Sequence, residues 1–209
     1  EYKANEYLET LSQNDKYIQL KSKFIEYVTD YLMQSVTYST SVNSIKDYIL
    51  AQCANLYGQL VALSTGNKII DGREMIICNP EGNVNVFDWK ATLEKIKNKC
   101  ENESHLLISG GYARTHKGNV ISIGRDGANL MASLVGAAIN AEAIEFYVES
   151  DIIYDIPSMT YEEAAHYCAS SVAPFPSTVL WPAKNANIPV ELVSPYAVMG
   201  AEVAKAASR

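Results

Sequence analysis

Three histidines in 209 residues, none at metal-ligand spacing, and four cysteines with no CxxC pair leave the chain without the donor pattern of a zinc site. It has no basic run either. A formal charge of −7 makes nucleic acid and acidic membrane surfaces poor partners. The longest apolar stretch, residues 130–139, falls well short of the ~20 residues a spanning helix needs, so no membrane association is expected. The opening Glu1-Tyr2-Lys3 carries no signal-peptide pattern and reads like the middle of a longer protein. Cys53, Cys78, Cys100 and Cys168 would allow two disulfides in a secreted chain. The helical settings of Cys53 and Cys168 favour reduced, buried thiols, and with them a cytoplasmic location.

What the chain does have is two textures. Residues 1–66 read as a helical segment. Tyr17, Leu20, Phe24, Ile25, Val28, Tyr31 and Leu32 recur at helical spacing, and Ser39-Thr40-Ser41 supplies caps for a second helix that Gly66 stops. Residues 67–197 alternate short apolar runs with helical patterns, and 198–209 form an alanine-rich tail. Strands are expected at 68–70, 75–78, 105–109, 119–123, 143–149 and 188–193, and helices at 88–99, 128–139, 161–172 and 176–186. Strand, glycine turn, helix and strand make a βαβ unit. The expected fold is therefore α/β, a three-layer sandwich with a mainly parallel sheet, preceded by the helical segment. The fourteen tyrosines are read as core-edge packing, His166 as a surface or core-edge residue, and Trp181-Pro182 as a loop-to-helix junction.

The most informative local feature is Gly124-Arg125-Asp126-Gly127-Ala128-Asn129, between an expected strand and an expected buried helix. Such a turn offers backbone N–H groups and the positive end of a helix to an anion. Arg125 adds a planar fork that suits a carboxylate or phosphate, or else it pairs locally with Asp126. Glu149 and Asp151, at the end of the strand expected at 143–149, read either as magnesium ligands or as a solvated loop.

With Ser109-Gly110-Gly111-Tyr112 before it, this hexapeptide resembles the glycine motifs of the aspartokinase catalytic domain, in the amino-acid kinase family. Tyr147-Val148-Glu149-Ser150-Asp151-Ile152-Ile153-Tyr154 and Met159-Thr160-Tyr161-Glu162-Glu163-Ala164, leading to Ile188-Pro189, continue the resemblance over about 85 residues. It implies an amino-acid kinase-like core in which ATP and magnesium phosphorylate the side-chain carboxylate of L-aspartate, or a similar small amino acid, giving 4-phosphoaspartate. A homo-oligomer is compatible with it. By the same resemblance Arg125 holds the substrate carboxylate, with Gly111, Tyr112, Gly124, Gly127 and Asn129 lining the site. Glu149, Asp151 and Tyr154 fall on the nucleotide side.

The departures bear on activity. Ala128 and Asn129 stand where the family has serine and aspartate, Cys53-Ala54 where it has glycine-glutamate, and Val172 where it has a phosphate-binding lysine. The lysine-bearing KFGGTS strand has no counterpart in the sequence. Between residues 118 and 183 Arg125 is the sole lysine or arginine, against eight carboxylates, and ATP brings about four negative charges that magnesium offsets by two. Two readings follow: an aspartokinase-type phosphotransferase, or a catalytically inactive, pseudokinase-like domain that binds a small amino acid or partner subunit in a regulatory role.

Overall fold

The computed structural model describes residues 14–37, 41–81, 84–124, 126–147, 159–169 and 173–193. Two long helices come first, α1 (Asp15–Thr37) and α2 (Val42–Thr65). The Ser41 hydroxyl caps α2 by accepting from Ser44 N at 3.2 Å. Gly66 ends it in the left-handed conformation, φ 73°, donating its N–H to Ala62 O. Tyr31 and Tyr48 stack across the helix pair with ring centroids 3.7 Å apart. The packed stripe of α1 is narrower than its periodicity predicts. Tyr17, Leu20, Phe24, Val28 and Tyr31 are partly buried, whereas Ile25 and Leu32 face solvent at 53% and 38% exposure.

The remainder is mixed α/β with parallel sheet pieces. Strand β1 (Lys68–Asp71) leads through a 3-10 turn, Gly72–Glu74, to a hairpin of β2 (Cys78–Glu81) and β3 (Val84–Phe87). Helix α3 (Trp89–Cys100), capped by Asp88, then crosses to β4 (Leu106–Ser109), which lies parallel to β1 with Asp71 opposite Ser109. A second hairpin, β5 (Tyr112–Arg114) with β6 (Val120–Ser122), precedes α4 (Gly127–Ile139). Strand β7 (Ile144–Tyr147) pairs in parallel with β8 (Val190–Val193), and α5 (Tyr161–Cys168) and α6 (Trp181–Ala186) lie between them in the chain.

The two parallel pairs meet the expectation of crossover units, and the helical segment does precede them. The hairpins are additions. Among the described residues the strands form four two-stranded pieces, two parallel and two antiparallel. The strand expected at 75–78 begins only at Cys78, because Met75 and Ile76 are buried in the turn that leads into it. The helix expected at 176–186 is split into a 3-10 turn, Ser177–Val179, and α6.

The core lies around α4. Leu130, Met131 and Leu134 pack with Met75, Ile76, Ile96, Phe146, Phe175 and Val179. Burying each large apolar side chain contributes about 1.5–3 kcal/mol. Ser133, fully buried on α4, donates to Val179 O at 2.5 Å, so its hydroxyl is not left unpaired. Thr92 plays the same part on α3, accepting from Ile77 N at 3.1 Å. The four cysteines are free; Cys78 and Cys100 are buried as expected, Cys168 is half-buried, and Cys53 is exposed. Among the described residues no helix is long and apolar enough to cross a membrane.

Candidate functional site

Strands β1 and β4 run side by side and end at one level, the position at which parallel α/β folds place their ligands. Their ends are locked together. Gly72 N donates to Ser109 Oγ at 3.2 Å, and a Cβ on Gly72 would fall 1.9 Å from Ser109 O, so no larger residue fits. Beyond β4, Gly110 and Gly111 carry the chain into β5, with Gly111 at φ +91°.

The start of α4 sits directly on this turn. A Cβ on Gly127 would lie 2.8 Å from Gly111 Cα, and one on Gly110 would lie 2.8 Å from Ala128 Cα. Two backbones touch where side chains would normally intervene, and Ile123 N ties them by donating to Gly111 O at 3.2 Å. Gly124, at φ +95°, and Asp126, in the left-handed conformation at φ 59°, bend the chain into the helix. The Asp126 side chain makes no capping bond to α4, whose first turn carries backbone N–H groups and the positive helix end. Gly127 is buried there, Ala128 exposed and Asn129 half-buried.

Of the residues singled out from the sequence, Gly111 and Gly127 meet directly, while Tyr112, Gly124 and Asn129 lie at the β4–β5 and β6–α4 junctions. Arg125, Glu149, Asp151 and Tyr154, with Val172, lie outside the described residues.

One participant was missed. Asp47, the single carboxylate of α2, accepts from Ser122 N at 2.9 Å, two residues before Gly124. Burial, with the neighbouring Asp47 and Cys53, pushes the Tyr112 phenol above its ordinary value. Asp47 thus ties α2 to the end of β6 beside the junction. The signal available was a lone acid on an otherwise apolar and amide-rich helix.

Around α5 and α6 the charged groups are already engaged. The cation following residue 118 among the described residues is Lys184, and its Nζ is held by Glu162 at 2.6 Å. The N-terminus of α5 is already occupied by a carboxylate. Thr160 and Glu163 form a reciprocal capping box, with Thr160 N donating to Glu163 Oε2 at 2.7 Å. Those bonds hold the Glu163 carboxyl below its usual range. No cluster of three metal-ligating side chains occurs among the described residues. The residues expected to hold the nucleotide and magnesium lie outside the described residues, so no chemical step is routed through them.

Comparison with known proteins gives a consistent fold. No family model matches the chain. Aspartokinase 1 of Bacillus subtilis is 25% identical over 125 residues, which are 54% of this chain and 30% of that protein. Aspartokinase 3 of the same organism is 22% identical over 129 residues, 56% of this chain and 28% of that one. The chain thus matches under a third of the length of these curated relatives. Among solved structures, Clostridium acetobutylicum aspartate kinase superposes with a TM-score of 0.68 at 21% identity, covering 88% of this chain and 44% of that one. E. coli aspartokinase III, solved with aspartate and ADP, gives 0.72 at 16% identity, covering 92% and 48%. The fold is that of the aspartate kinases: this is an aspartokinase-like domain.

Proposed function

We propose that this aspartokinase-like domain binds a small amino acid, L-aspartate or a close analogue, where the Gly110-Gly111 turn meets the N-terminus of α4. The supporting observation is the backbone contact between Gly111 and Gly127, which sets the N-terminus of α4 beside the ends of β1 and β4. N–H groups at such an end, with the Arg125 guanidinium, suit the α-carboxylate of an amino acid. Asn129 has no charge for the substrate ammonium group; Asp47 of α2, bonded to Ser122 N at the end of β6, supplies a carboxylate there. Tyr112 packs beside the bound molecule. E. coli aspartokinase III, with the same fold, was solved with aspartate and ADP, which fits this assignment.

The reaction implied is transfer of the ATP γ-phosphoryl group to the aspartate side-chain carboxylate. That carboxylate is already a nucleophile and needs no general base; cations must offset the charge. Glu149, Asp151 and Tyr154 are proposed for the nucleotide side, with magnesium as the counter-ion. The second reading, binding in a regulatory role without transfer, draws support from Lys184 being engaged by Glu162 and the α5 N-terminus by Glu163.

Incubation with L-aspartate, magnesium-ATP and hydroxylamine separates the two. Aspartyl hydroxamate formed at a rate proportional to protein establishes transfer. Saturable aspartate binding with no hydroxamate establishes the binding-only reading. Absence of both removes the proposal.

A further inference from the structure

A separate cavity of about 460 Å³ opens between α1, α2 and the end of β1, within the ~300–1,000 Å³ range of small-molecule sites. Its floor is a buried ion pair. Arg73, 6% exposed, donates through Nε to both oxygens of Asp71 at 2.9 Å, and Gln52 Oε1 stands 3.5 Å from its Nη2. Arg114 reaches the same cavity from the end of β5. Its backbone is fixed, since Arg114 N donates to Ile76 O at 3.0 Å. Its Nε–H is buried and has no acceptor among the described residues. Lys23 of α1 completes the lining cations, and neither it nor Arg114 takes part in an ion pair among the described residues.

Asp71 is the one lining carboxylate, and Arg73 already holds it. Three cations against one anion leave two positive charges facing one cavity, in a chain whose net charge is −7. A buried guanidinium N–H without an acceptor is costly unless a ligand supplies one. Asn55 and Gln59 add amide donors, while Phe24 and Tyr48 give the walls an aromatic character. We infer that this cavity is a second ligand site, for a small organic anion whose carboxylate or phosphate head meets Arg114 and Lys23 while an aromatic or apolar body lies against Phe24 and Tyr48. The site is distinct from the α4 turn, and the inference does not depend on the amino-acid-binding proposal.

Calorimetric titration with phenyl phosphate, phenylacetate and neutral benzyl alcohol tests it. Saturable binding of at least one anion below about 10 mM is expected, with none for the alcohol. Which anion binds identifies the head group. Arg114→Met should weaken binding at least tenfold, Arg114→Lys less, and Lys23→Met several-fold. Raising ionic strength should weaken it further. If Arg114→Met does not fold by circular dichroism, Lys23→Met on the exposed helix α1 decides. No saturable binding of either anion, or binding unchanged in Lys23→Met and every folded Arg114 variant, overturns the inference. So does loss of binding in Arg125→Ala, which would put the anion at the α4 turn.

Discussion

Gly127→Ala is the sharpest perturbation of the junction on which the amino-acid site is built. The added methyl would lie 2.6 Å from Ile123 Cγ1, 2.8 Å from Gly111 Cα and 3.2 Å from Gly111 O. The Ile123 side chain can rotate away. The Gly111 backbone cannot, because Ile123 N is bonded to its carbonyl and its φ of +91° fixes the turn. Overpacking of this kind costs about 1–3 kcal/mol. Alanine's lower unfolded-state entropy returns about 0.4–1 kcal/mol. The net loss should be about 1–2 kcal/mol, or roughly 2–8 °C in Tm for a chain of this size. Urea unfolding gives the energy, and calorimetry with L-aspartate gives the consequence, a weakening of about tenfold or more as the helix end is pushed off the turn. Gly124→Ala is the control. Its Cβ meets nothing within 4 Å, so it should show only the strain of φ +95°, about 1–2 kcal/mol. A Gly127→Ala protein as stable as wild type, with unchanged aspartate affinity, would refute the close approach and the site built on it.

Three further outcomes follow from packing and titration. Thr160→Ala removes the hydroxyl half of the reciprocal cap of α5 and should cost about 1 kcal/mol in urea unfolding. Because the Glu163 carboxyl is held below its ordinary 4.5, first by the Thr160 N–H and then by the Thr160 hydroxyl, that contribution is present above that pH and fades as pH falls through the lowered value. Only the hydroxyl part is lost in Thr160→Ala, so the stability gap between wild type and Thr160→Ala should narrow, not close, at low pH. Tyr161, whose hydroxyl donates to Ile188 O, has its phenol pushed up to about 12 by burial. Its contribution to stability is whole below pH 10 and lost between about 10 and 12, so Tyr161→Phe should flatten the alkaline decline measured by circular dichroism. With a thiol reagent, exposed Cys53 should react first in the native protein. Cys78, buried and with its thiol pushed up to about 11, should react only on unfolding, as mass spectrometry of digests would show.

Local chemistry made much of the fold readable. Ser41, Asp88 and Gly66 mark helix ends because each satisfies backbone groups within a few residues of itself. The hairpins were hidden for equally local reasons. Pro80 sits inside β2, where proline argues against a strand, and β5 has only three residues after a double glycine. On α1 the apolar positions outnumber those that α2 covers, so periodicity alone over-assigned Ile25 and Leu32 to the packed face. The glycine turn was legible as a junction, but its tightness was not. That depends on Gly111 and Gly127, sixteen positions apart, meeting through space. Asp47 and Arg114 were invisible as site residues, since one comes from α2 and the other from β5, and only the packing of α2 against these strands brings Asp47 to Ser122 and Arg114 to its cavity.

The claim at the centre is that the turn opening α4 binds the carboxylate of a small amino acid. Calorimetric titration of the 209-residue chain with L-aspartate, in wild type and in Arg125→Ala, tests it most directly. Saturable binding in wild type, lost in a folded Arg125→Ala protein, is the predicted result. No saturable binding in wild type, or equal affinity in the variant, would contradict it.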